Sequence, residues 1–148
     1  MTARIEPLVT VADLDLMPDD GNRYEIIDGE MLVSRTPGLT HQTISANLLV
    51  SLKNYLLQNP VGDAWATPGV IFDELNAVIP DLVFVSKARR AEVAPGERIV
   101  GAPDILIEIL SPESENERRD RVIKRQVYAR FGVKEYWIID PVNRAVEV

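Results

Sequence analysis

The chain of 148 residues contains no cysteine and a single histidine. The first absence excludes disulfides, zinc-thiolate centres and thiol nucleophiles, and suits a cytoplasmic protein. With one histidine besides, zinc is a poor fit. No apolar run approaches the roughly 20 residues that span a bilayer, so no membrane is expected. Met1 to Pro7 lacks the basic and then apolar pattern of a secretory signal. There is no phosphate-cradling glycine-rich loop and no serine elbow. Positive charge is also scarce. The formal net charge of −7 argues against a protein that coats nucleic acid non-specifically. It does not argue against an enzyme that uses a local basic strip and a cation held by carboxylates.

What is present is ordinary for a globular domain: 46% hydrophobic and 26% charged residues. That is enough for one core, and a single domain over 1–148 is expected. Val9 to Met17 reads as a short helix. Arg23 to Ser34 reads as a β-hairpin around Asp28-Gly29, a strong two-residue turn. Thr40 to Gln58 reads as an amphipathic helix, with Ile44, Leu48, Leu52 and Tyr55 at helical spacing. Strands are expected at Ala64 to Phe72, Ile79 to Ser86, Ile105 to Leu110 and Glu135 to Ile139. A helix is expected at Glu115 to Phe131, stopped by Gly132. This order predicts an α/β sandwich in which helices flank a central mixed sheet. The last strand pattern, Arg144 to Val148, lacks an evident hairpin partner. It suggests a further C-terminal segment, or pairing with another subunit.

Glu108 is the most informative residue. It lies within Ile105-Leu106-Ile107-Glu108-Ile109-Leu110, apolar on both faces otherwise. A carboxylate there loses hydration at a cost of several kcal/mol unless a cation or donor compensates. An edge strand with Glu108 facing water is the bland alternative, and the flanking residues disfavour it. Asp81 follows Pro80 at the mouth of Leu82-Val83-Phe84-Val85. Alone it reads as a turn aspartate. Beside Glu108 it can share a divalent cation, for which oxygen ligands suit Mg2+ or Mn2+. On the following helix, a projection at 100° per residue marks Ile123, Val127 and Phe131 as the buried stripe. Asp120 and Lys124 fall inside it and Tyr128 at its edge. An i,i+4 Asp-Lys pair is the surface reading, but an inward position makes that incomplete. Lys124 can then stabilise a developing negative charge. His41 lies in the first turn of its helix, either as a packing residue or as part of the same site.

The spaced set Pro80-Asp81, Glu108 and a lysine on the next helix resembles the PD-(D/E)XK nuclease superfamily, with its restriction-endonuclease-like fold. Within it the chain is similar to the Uma-type family of bacterial restriction endonucleases. The likeness includes Tyr24-Glu25-Ile26-Ile27-Asp28-Gly29-Glu30, His41, Ala102 to Pro112, Asp120, Lys124, Tyr128 and Gly132 to Pro141. One position departs from the wider superfamily: Leu110 stands two residues after Glu108, where a lysine is usual. The Uma-type pattern shares this, its lysine having moved to the helix, at Lys124 here.

The resemblance implies a magnesium-dependent endonuclease acting on DNA. Asp81 and Glu108 are the metal ligands, and Glu108 and Lys124 orient the attacking water. His41 and Glu25 are accessory catalytic residues, with Asp120 and Tyr128 in support. Arg118, Arg119, Arg121 and Arg125 are candidates for phosphate contacts. Lys87, Arg89 and Arg90 read better as solvated surface. A homodimer is compatible with the pattern. Two rivals stay open: a non-catalytic nucleic-acid-binding module on the same fold, and an interaction domain whose acidic pocket is only a buried polar network.

Overall fold

The computed structural model describes residues 7–111 and 119–148, the side chains at 119 and 120 excepted. A short helix, α1 (Val11–Leu14), precedes the hairpin β1 (Arg23–Ile27) and β2 (Glu30–Ser34). Asp28 and Gly29 both take positive φ, 49° and 79°, the turn whose twist suits a hairpin. The long helix α2 (Leu39–Gln58) follows. Its Ile44, Leu48 and Leu52 are half-buried, but Tyr55 points outward, contrary to the expected stripe.

The single strand expected from Ala64 to Phe72 is two strands, β3 (Gly62–Ala66) and β4 (Val70–Asp73). They are parted by Thr67 at φ 48°, by Pro68, which cannot donate to a ladder, and by Gly69. Pro80 acts in the same way between β5 (Asn76–Val78) and β6 (Leu82–Ser86), so the strand expected from Ile79 begins at Leu82. A 3₁₀ turn (Lys87–Arg89), α3 (Arg90–Val93) and β7 (Ile99–Val100) were not expected. Then come β8 (Ile105–Ile109), a π-helical turn (Arg119–Lys124) running into α4 (Arg125–Phe131), β9 (Glu135–Asp140) and β10 (Ala145–Glu147).

These two breaks turn the expected single sheet into two. One has the order β2-β1-β5-β4-β7, the other β10-β9-β8-β6-β3. Both are mixed: β4 and β7 run parallel in the first, β8 and β9 in the second. The α/β class stands. The core includes Val70 and Val78 from one sheet and Val83, Val85 and Leu106 from the other, closed by Val127 and Tyr128 of α4. β10 does have a hairpin partner, pairing antiparallel with β9 from Ala145↔Asp140 to Glu147↔Ile138. Among the described residues no helix is long and apolar enough to cross a membrane.

Asp104 ties three strands of the second sheet together. Its amide donates to Phe84 O and its carbonyl accepts from Glu135 N. Its side chain accepts from the Ser86 amide at 2.7 Å and faces Lys134 Nζ at 3.0 Å. Burial raises the carboxyl pKa, but the Ser86 amide and the Lys134 ammonium outweigh it, and the net position lies below the ordinary aspartate value. A depressed pKa contributes stability above the unfolded value of about 4, and that contribution is lost as pH falls through the folded one. Asp104→Asn is therefore expected to lower unfolding stability by about 1–3 kcal/mol at neutral pH. The gap to wild type should close below about pH 4. Urea unfolding at both pH values checks this, and an unchanged gap in acid would show that the charge is not the cause.

Candidate active site

The site lies where the two sheets meet. β6 and β8 are antiparallel with Leu82 opposite Ile107. One residue further along that register, Asp81 stands opposite Glu108, and opposed residues of an antiparallel pair project from the same face. The Ile109 amide donates to Asp81 Oδ2 at 2.7 Å and holds the loop end of β6 against β8. Both carboxylates are buried, at 1% and 3% exposure. The first sheet supplies the opposite wall. Alternation along β1 puts Arg23 and Glu25 on one face. Arg23 Nη1 donates to Asp81 Oδ1 at 2.8 Å, and Glu25 Oε2 accepts from the Ile79 amide at 2.8 Å.

Lys124 joins the two walls. Its Nζ lies 3.0 Å from Glu25 Oε2 and 3.3 Å from Glu108 Oε1, and its side chain is 2% exposed. Tyr128, one turn later, donates its hydroxyl to Glu108 Oε1 at 3.3 Å. From α2, His41 Nε2 comes within 3.1 Å of Asp81 Oδ1, and His41 is the one buried side chain of that helix. Burial raises the Asp81 pKa. The bond from His41 and the Arg23 charge act the other way and prevail, so this carboxyl sits below its usual range. The enclosed space is a cleft of about 30 Å³, enough for water-sized occupants, bordered on its outer side by Ser34, Arg35 and Pro37.

Thus Asp81, Glu108, Lys124, His41, Glu25 and Tyr128 come together although they were read from five separate stretches. The helix phase differs in one respect. The buried stripe is Lys124, Val127 and Tyr128, with Phe131 partly buried, whereas Ile123 is 40% exposed. Ile123 belongs to the π turn, where i→i+5 pairing breaks the 100° step used to place it. Arg125 is exposed, as that projection requires. Arg118 and the side chains of Arg119 and Asp120 lie outside the described residues.

Arg121 is not at the cleft among these groups. It pairs with Asp140 at 3.0 Å and Glu147 at 2.9 Å, tying the π turn to β9 and β10. At the far end of β6, Arg90 pairs with Asp63 and Arg89 with Asp104. Arg23 and Arg35 were missed by the sequence reading. Period-two alternation with Glu25 was a usable signal for Arg23. Arg35 follows a strand end and carried none.

The Lys124 network predicts its own energetics. Removing one partner of a buried ion pair costs about 3–5 kcal/mol, because the remaining charge stays buried. Lys124→Met should lose that much in guanidinium unfolding. Combining it with Glu25→Gln and Glu108→Gln should recover most of the loss. A triple variant no more stable than the single one would show that the three charges are not coupled.

Comparison with known proteins gives a family and a fold. Residues 11–148 match the family model Uma2, described as "Putative restriction endonuclease". No curated protein matches the chain. Among solved structures, a crystal structure from Anabaena variabilis ATCC 29413, titled "a putative nuclease belonging to DUF820", is similar with a TM-score of 0.74 at 22% identity. The match covers 93% of this chain and 77% of that one. At that identity the likeness shows the fold.

Proposed function

For a chain that belongs to the Uma2 family, described as "Putative restriction endonuclease", we propose that it hydrolyses phosphodiester bonds of DNA with Mg2+ or Mn2+ as cofactor. The observation that carries this reading is the convergence of Asp81 and Glu108 on one cleft, with Lys124 on Glu108. Charge and donor chemistry support it. Inside the cleft, short of Arg35 at its outer border, two cations, Arg23 and Lys124, face three carboxylates, Glu25, Asp81 and Glu108, so the carboxylates outnumber the cations there. A carboxylate offers about four lone-pair positions. Arg23, His41 and the Ile109 amide occupy three on Asp81, which leaves one on Oδ2. Among the described residues no three His, Cys, Asp or Glu side chains gather as a ready-made cage. Two carboxylates plus water is how magnesium is commonly held. The residues therefore fit the ion, with Asp81 and Glu108 as its protein ligands.

When bound, the ion lowers the pKa of a water and offsets charge on the phosphorus oxygens. Glu108 accepts a hydrogen bond from that water and orients it for attack. Lys124 faces the same space and stabilises negative charge as it develops. Glu25 and the Ile79 amide keep Lys124 in place, and Tyr128 fixes the rotamer of Glu108. His41 and Arg23 hold Asp81 ionised and aimed.

Calorimetric titration of Mg2+ into wild type, Asp81→Asn and Glu108→Gln, alongside cleavage of plasmid DNA, tests the proposal. Wild type should bind the ion, and both variants should lose about tenfold or more in affinity. Glu108→Gln should not cut. Lys124→Ala should cut about 100-fold more slowly or worse while still binding the ion. Wild type that binds Mg2+ and DNA but never cuts would instead indicate a non-catalytic nucleic-acid-binding module.

A further inference from the structure

Inside the cleft both cations are engaged by carboxylates. Arg23 is held by Asp81, and Lys124 by Glu25 and Glu108. Arg35 borders the same cleft, is exposed, and has no hydrogen bond or ion pair among the described residues. An exposed arginine is by itself unremarkable. Its surroundings make this one different.

Arg35 stands four residues before Leu39, the first residue of α2, a helix of 20 residues. The N-cap of α2 is Gly38, which has no side-chain oxygen to accept the first amides, and no side-chain cap bond forms. Pro37, just before that cap, and His41, in the first turn, both line the cleft, so the partial positive charge of the helix's amino end lies beside its outer wall. A separate observation points the same way. His41, in the first turn, lines the cleft with a side chain only 7% exposed, and its Nδ1 has no hydrogen-bond partner among the described residues. A buried polar nitrogen left in that state is uncommon and calls for a missing group. The Ser34–Pro37 corner, the amino end of α2 and His41 therefore form one electropositive wall facing the carboxylate wall of Asp81 and Glu108.

We infer that this wall is a phosphate subsite, in which Arg35 and the first turn of α2 take a backbone phosphate of the substrate strand next to the bond held at Asp81 and Glu108. The inference rests on the nuclease reading for the identity of the ligand, a phosphodiester. The subsite answers to phosphate chemistry whether or not cutting occurs. It also accounts for how an acidic protein gains purchase on a polyanion: the cation offered is local and beside the reacting groups. Arg35 is a binding residue here, and the chemistry remains with the groups described above.

Two measurements test it, both in EDTA so that turnover does not intervene. The first is anisotropy of a short fluorescein-labelled DNA duplex over a range of salt concentrations. Arg35→Ala should bind about 5–10-fold more weakly and lower the salt slope by about one. Arg35→Lys should keep most of the affinity. Arg98→Ala removes the same charge from an arginine paired with Asp15 outside the cleft, and it should match wild type. The second is titration of inorganic phosphate, followed at fixed pH by the ring resonances of His41, the only histidine. The signal should move saturably in wild type and far less in Arg35→Ala. If Arg35→Ala and Arg98→Ala are indistinguishable in both measurements, the subsite is wrong, even if the protein cuts DNA. If phosphate moves His41 through Arg35 but no duplex binds, the subsite stands and the nuclease reading falls. Folding of each variant is checked by thermal melting. Should Arg35→Ala melt early, Arg35→Gln replaces it on the same criteria.

Discussion

One buried ammonium organises this molecule. Lys124 reaches Glu25 on the hairpin of one sheet and Glu108 on a central strand of the other. Placing such charges out of water is costly, and the cost is offset only when the geometry satisfies all of them together. That requirement fixes the distance between the sheets, the phase of the helix that carries Lys124, and the rotamer of Glu108. The Ile79 amide and the Tyr128 hydroxyl complete the arrangement by occupying further oxygen lone pairs. The apolar core beneath supplies the stabilisation that makes such a polar seam affordable.

The legible parts of the fold were those governed by local rules. The hairpin could be read because Asp28-Gly29 supports only a few turn geometries. The central strand could be read because six residues with one charge leave few alternatives. What escaped were decisions made at a distance. Thr67-Pro68-Gly69 looks like a kink inside a strand, and only the pairing partners show that the chain changes sheets there. β7 is two residues long and exists because β4 offers it a parallel edge. The π turn before α4 is likewise set by what Lys124 must reach, and no local propensity predicts it.

The candidate site was more legible than the fold around it. A charged residue in an apolar strand or on an apolar helical stripe is an anomaly visible without coordinates, and Glu108, Lys124 and His41 were found that way. Arginines gave the opposite result. Arg121 and Arg125 were candidates for phosphate contacts, yet Arg121 serves a carboxylate pair on the terminal hairpin. Arg23 attracted no notice among ordinary strand residues and proved to sit on Asp81. Long flexible cations report on their neighbours in space, and composition says little about those.

The reach of the Lys124–Glu25 pair has a bearing on synthesis. Its members are separated by 99 positions, so Glu25 leaves the ribosome well before Lys124 is made. Until then the ammonium that Glu25 and Glu108 share is missing, and repulsion between their buried carboxylates opposes closing the seam between the sheets. An unfinished chain therefore has no assembled centre. A chain that stops short of Lys124 lacks the cation that bridges Glu25 and Glu108.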